Sequence, residues 1–128
     1  MSLKTNLRQS SDVAILDLNG RLSLGEALAF GPGSGLVLSE TIRELTKKGQ
    51  KKILLNLAGV TYVDSSGVGQ LMGALMTARN QGGDLRLLKP SSQVLNLLKI
   101  TKLTSVFDIH EDEVAAIQAF SKGAGATG

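Results

Sequence analysis

The chain has 128 residues, enough for one domain with a real hydrophobic core. A hydrophobic content of 42% and a charged content of 20% are those of a soluble globular protein, and no apolar run approaches the roughly 20 residues needed to span a bilayer. The absence of cysteine excludes disulfides and thiolate metal sites, while a net charge of +3 is too mild to imply a polyanionic partner.

The opening residues, Met1 to Asn6, carry no long apolar core of the signal-peptide type, so the expected location is cytoplasmic. Leu3 to Gln9 alternates Leu3, Thr5 and Leu7 and reads as a half-buried strand. Ser10-Ser11-Asp12 is a turn and Val13 to Leu18 a second strand, which together predict an N-terminal hairpin. Ser23 and Glu26 have capping-box spacing, so a helix is expected to begin near them. Phe30-Gly31-Pro32-Gly33-Ser34-Gly35 interrupts it. This glycine-rich stretch lacks the Gly-Lys-Ser/Thr ending of a phosphate loop and reads as an inserted flexible loop. Helical spacing resumes at Leu38, Ile42 and Leu45, with Lys47 and Lys48 in the last turn and Gly49 as the stop. The lysines around Gly49 do not alternate with aromatics, so no nucleic-acid surface is expected.

Lys51 to Leu57 is a bounded apolar run of the kind an interior parallel strand carries. A short connection is expected after it, and then Asp64-Ser65-Ser66-Gly67 at the mouth of a helix. Asp64, Ser65 and Ser66 are all residue types that cap helices. Val68, Leu71, Met72 and Leu75 fall on one helical face. That helix should end at Gln81-Gly82-Gly83. Leu85 to Leu88 reads as a strand, and Ser91 or Ser92 as the cap of a short helix with Val94, Leu97 and Leu98 inward. Val106-Phe107-Asp108-Ile109 reads as the last strand. Glu111, Asp112 and Glu113 open a final helix with Val114, Ile117 and Phe120 on one side. A single domain over residues 1–121 and a disordered tail over 122–128 are expected. Strand–helix alternation after a hairpin predicts a mixed α/β sheet joined by right-handed crossovers.

The chemistry-bearing residues are few. His110 is the only histidine and cannot build a multi-histidine zinc site. No Gly-x-Ser-x-Gly elbow accompanies it, so no catalytic residue, metal or cofactor is expected. Asp64-Ser65-Ser66-Gly67 is a sufficient strand–turn–helix junction with one cap, yet two serines follow the aspartate. A phosphate there would add about −1.5 to −2 charge at a helix start without unfolding the domain, and its effect would fall on whatever docks against it.

With these residues in hand, the chain resembles the STAS domain family of sulphate transporters and anti-sigma-factor antagonists, and among them the stand-alone bacterial antagonists. The resemblance rests on Ala14 to Leu22 (AILDLNGRL), Ile53 to Leu57 (ILLNL), Val63 to Gly69 (VDSSGVG), Gly82 to Leu87 (GGDLRL) and the stretch from Val94 to Ile100, in order over nearly the whole chain. It implies a mixed, mainly parallel sheet with an N-terminal hairpin and about four packed helices. It also implies partner switching: the unphosphorylated protein binds an anti-sigma factor that is a serine kinase, a sigma factor is released, phosphorylation of Ser65 reverses this, and a metal-dependent serine phosphatase restores it. Asp64, Ser65, Ser66 and Gly67 would then form the partner-binding site, with neither direct nucleic-acid binding nor membrane insertion. The chain departs from the family at the Phe30–Gly35 stretch and at Thr101-Lys102, where family members often carry glycine. Two alternatives remain open: a scaffold subunit of a transporter or lipid-trafficking complex, and a small-ligand sensor using the glycine-rich loop.

Overall fold

The apolar run from Ile53 to Leu57 occupies the middle of a five-stranded sheet, and Ile53, Leu54, Leu55 and Leu57 are all fully buried. The computed structural model describes residues 4–22 and 37–127, with side chains in the second stretch from Leu38 to Phe120. In chain order the elements are β1 (Lys4–Ser10), β2 (Val13–Leu22), α1 (Val37–Lys47), β3 (Lys52–Val63), α2 (Ser65–Asn80), β4 (Asp84–Leu88), α3 (Ser92–Ile100), β5 (Ile109–His110) and α4 (Glu113–Thr127). The strand order is β1-β2-β3-β4-β5, with β1 antiparallel to β2 and every other pair parallel. This is the expected mixed, mainly parallel sheet with its hairpin, carrying four helices among the described residues.

The helices divide unequally over the two faces. On one, Leu38 and Ile42 of α1, Val68, Leu71 and Leu75 of α2, and Val94 and Leu98 of α3 join Leu16, Leu18, Ile53, Leu55, Leu57, Leu85 and Leu87 of the strands in one buried cluster. Fully burying each such side chain is worth about 1.5–3 kcal/mol before entropy is counted. On the other, Ala116 and Phe120 of α4 cover a smaller patch of Val13, Ile15, Leu54 and Leu88. Polar contacts ring that patch. Arg8 reaches Asp17 through Nε (2.7 Å) and Nη2 (2.9 Å), and Glu113 through Nη1 (3.1 Å) and Nη2 (2.8 Å). One guanidinium thereby ties the hairpin to the start of α4. Phe120 lies under the Arg86 guanidinium at 5.1 Å.

Three helices end alike. The amide of Gln50 returns to Leu45 and that of Gly49 to Thr46. Gly83 returns to Ala78 and Gly82 to Arg79, and Leu103 to Leu98 and Lys102 to Lys99. Each ending needs one residue in the left-handed region. Gly49 (φ +93°) and Gly82 (φ +82°) supply it freely, but after α3 the position is Lys102, at φ +62°.

Several expectations are corrected. Leu7 is not half-buried: it is 51% exposed, because β1 lies at the edge of the sheet. The stretch expected to connect β3 to the next helix is strand throughout, to Val63. The last strand is Ile109–His110 and does not include Val106 or Phe107. Both of those amides turn back to the Leu103 carbonyl, which drops Phe107 into the core. The backbone of α4 is helical from Glu113 through Thr127. Leu3, the helix start at Ser23 and Glu26, and the Phe30–Gly35 stretch lie outside the described residues.

Candidate functional site

Beyond Asn56, β3 leaves β4 behind and pairs only with β2. Two register shifts accompany this, between Asp17 and Asn19 and between Gly20 and Arg21, and at each β3 has one more residue than β2. Bulges of this kind bend a strand and increase its twist. Gly59 accommodates the first, since a Cβ there would overlap the Asn19 amide oxygen. Thr61 Oγ1 donates to the Gly20 carbonyl beside the second (3.2 Å). The bent ribbon carries Val63 and Asp64 to the carboxyl end of the parallel strands, where α2 begins.

Of the three residues able to cap α2, the structure selects Asp64. Its backbone is extended (φ −114°, ψ −174°), and its Oδ1 accepts from the Gly67 amide (2.9 Å) and the Ser66 hydroxyl (2.6 Å). The first helical bond runs from the Val68 amide to the Asp64 carbonyl (3.0 Å). Burial opposes ionisation of Asp64, but hydrogen bonds from the Ser66 hydroxyl and from the Gly67 and Ser66 amides outweigh it, so the carboxyl is held below its ordinary value. Ser66 therefore braces the cap and does not supply it. Ser65 occupies the first helical position, is exposed, and its hydroxyl has no hydrogen-bond partner among the described residues. Gly67 is buried, and a Cβ on it would overlap the Leu22 carbonyl oxygen at the end of β2.

The four motif residues thus have four separate positions: a cap, a free hydroxyl, a brace and a close approach. A fifth residue joins them that sequence reasoning missed. Gln93, near the start of α3, donates from Nε2 to the Val63 carbonyl (3.2 Å), the last carbonyl before the cap. No periodicity or motif signals a bond between side chain and backbone 30 residues apart. Close by on the β2–β3 ribbon, the Arg21 guanidinium stacks over the Tyr62 ring at 4.4 Å.

His110 stands apart from this cluster, with its ring Nε2 3.3 Å from Arg86 Nη1. Burial and the Arg86 charge hold its pKa below 6.5, against a smaller opposing pull from Asp108. Among the described residues no group of three or more His, Cys, Asp or Glu is placed to hold a metal ion. Among them, too, no helix is long and apolar enough to cross a membrane.

Comparison with known proteins bears on this geometry. The anti-sigma-B factor antagonist of Bacillus subtilis is 25% identical over 118 residues, an overlap that takes in 92% of this chain and 100% of that one. The crystal structure of TM1081 from Thermotoga maritima superposes with a TM-score of 0.76 at 26% identity, over 91% of this chain and 94% of that one. SpoIIAA, an anti-sigma factor antagonist solved in unphosphorylated and phosphorylated forms, shares the fold at TM-scores of 0.60 and 0.63 with 21% and 20% identity. Each overlap takes in 90% of this chain, and 96% and 97% of the respective SpoIIAA chains. The model of the STAS domain matches residues 4–116, nearly all of the described sheet and its helices, and the chain therefore belongs to the STAS domain family.

Proposed function

We propose that this protein is an anti-sigma factor antagonist that works by partner switching, with Ser65 as its phosphoacceptor. Unphosphorylated, it binds an anti-sigma factor that is a serine kinase, and a sigma factor is set free. Phosphorylation of Ser65 ends that binding, and a metal-dependent serine phosphatase restores it. The chemistry belongs to the partners, and the setting is the cytoplasm. One observation carries the reading: Ser65 is exposed at the first position of α2 with its hydroxyl unengaged, while Asp64, Ser66 and Gly67 are all committed to building the helix start.

The electrostatics support a switch felt at the surface and not in the fold. Asp64 already draws on the Gly67 amide and the Ser66 hydroxyl. A phosphate on Ser65 stands beside an existing carboxylate, on a residue that no core contact depends on. The positive end of the helix offsets part of the new charge, and the remainder meets whatever docks there.

Incubation with candidate anti-sigma factor kinases and ATP, followed by phosphate mapping by mass spectrometry, tests the assignment. Label is expected on Ser65 and absent from Ser65→Ala, with Ser66→Ala still modified. Full modification of Ser65→Ala would overturn it. Ser65→Asp should weaken kinase binding roughly tenfold or more, since like-charge or unpaired charge at an interface costs several kcal/mol. Unchanged affinity would exclude a charge-based switch.

A further inference from the structure

We propose that Gln93 is a positioning residue for phosphorylation of Ser65, acting as a clamp from α3 on the peptide that precedes the cap of α2. This inference rests on the Ser65 reading above. β4 pairs with β3 only as far as Asn56, so from Leu57 to Val63 the β4 side of β3 has no strand against it. A carbonyl at the end of such a strand needs another donor. At Val63 the donor is the Gln93 side chain, 3.2 Å away.

The bond sits where it matters for Ser65. The Val63 carbonyl belongs to the same peptide plane as the Asp64 amide. Fixing that plane sets the direction in which Asp64 enters α2, and with it the oxygen that receives Ser66 and Gly67. Two further restraints act on the helix start: the cap itself and the seat of Gly67 on the Leu22 carbonyl. Both belong to the β2–β3 ribbon and the first turn of α2. Gln93 brings the third from a separate helix, one whose own start is capped by Ser91. Ser65, whose hydroxyl has no hydrogen-bond partner among the described residues, depends on these neighbours for the placement of that hydroxyl. A kinase must bring that oxygen into line with a transferring phosphoryl group, and misplacement is felt in turnover more than in docking.

Three proteins test the clamp: wild type, Gln93→Met, which keeps length and neutrality but cannot donate, and Gln93→Lys, which can. Steady-state phosphorylation uses a kinase that labels wild-type Ser65. In parallel, amide exchange at Asp64, Ser65 and Gly67 is followed by NMR without any kinase. Gln93→Met should lower kcat about three- to tenfold, the effect of one modest hydrogen bond, with KM within about twofold, an extent set by the free surface the kinase still meets. Exchange at the three amides should quicken, and Gln93→Lys should recover both readings. Equal behaviour of the Met and Lys variants, or unchanged exchange in Gln93→Met, would overturn the clamp. If no kinase labels Ser65, the proposed function fails, and the exchange measurements still decide the clamp by themselves.

Discussion

At position 67 a single methyl group would have to share space with the Leu22 carbonyl oxygen. That oxygen is backbone at the end of a buried strand and cannot swing aside. Gly67→Ala should therefore destabilise the protein by about 1–3 kcal/mol, the usual cost of overpacking, and should move the start of α2. Chemical denaturation gives the first quantity, and loss of the exchange protection of the Val68 amide reports the second. Gly69, two residues on, has open space around its would-be Cβ. Gly69→Ala should be neutral or slightly stabilising, since alanine favours the helix by up to about 1 kcal/mol. The contrast separates a glycine needed for close approach from one that is not. Sequence alone shows two glycines at equivalent spacing and cannot tell them apart.

At the scale of elements, the ending of α3 contains a conflict that the chain resolves unfavourably. Lys102 holds the left-handed position that Gly49 and Gly82 fill after the other two helices. A side chain in that conformation costs about 1–2 kcal/mol, part of which glycine would return as extra freedom in the unfolded chain. Lys102→Gly should raise stability by about 0.5–1 kcal/mol, seen as a higher denaturant midpoint with unchanged slope. The departure from the family's glycine is visible in the sequence, but its cost becomes visible only with the φ angle. Other elements divide in the same way. The stripe Leu38, Ile42, Leu45 reveals α1 because helical period and burial coincide. The extension of β3 through Ala58 and Gly59 is hidden, because a bulge places small residues where a break is the natural reading. Val106 and Phe107 have strand-forming side chains, but the core takes Phe107 from a turn. At the site, the junction itself is legible, whereas the choice of Asp64 over two serines as cap is not, since all three types satisfy the same amides. The contacts made by Gln93 and by Arg8 with Glu113 join residues 30 and 105 apart and leave no local trace.

For the molecule as a whole, the two faces of the sheet should respond differently to acid. Among the described residues, the Arg8 cluster with Asp17 and Glu113 ties α4 to the hairpin. Hydrogen bonds to Arg8 hold Glu113 and Asp17 below their ordinary values of 4.5 and 3.8, with Asn56 and Asn6 assisting Asp17 against its burial. For carboxyls depressed in the folded state, the stabilisation is whole above the unfolded values and is lost as pH falls through the folded ones. His110, also depressed, begins to subtract earlier, as pH drops below 6.5, because the unfolded chain takes up that proton first. Protonated, it would face Arg86, whose guanidinium also lies over Phe120 of α4. Stability should therefore fall in two stages, one starting near pH 6.5 and the other below about 4.5. Thermal unfolding across pH should show Glu113→Gln flattening only the lower stage. A single unaltered slope in that variant would show that the Arg8 cluster does not hold α4. The Asp64–Ser66–Gly67 geometry sits on the opposite face, where the larger core is, and should outlast the loosening of α4.

The order of the strands has one more consequence, which concerns the company this protein keeps. Open sheet edges invite pairing with foreign chains. Among the described residues, one edge is β5, only two residues long, and the other is β1, which carries Lys4 and Arg8. Neither is a long, flat apolar template. Under the proposed partner switching, the docking surface is uncovered between one partner and the next. Blunt edges on both sides leave such a molecule few ways to aggregate while it waits.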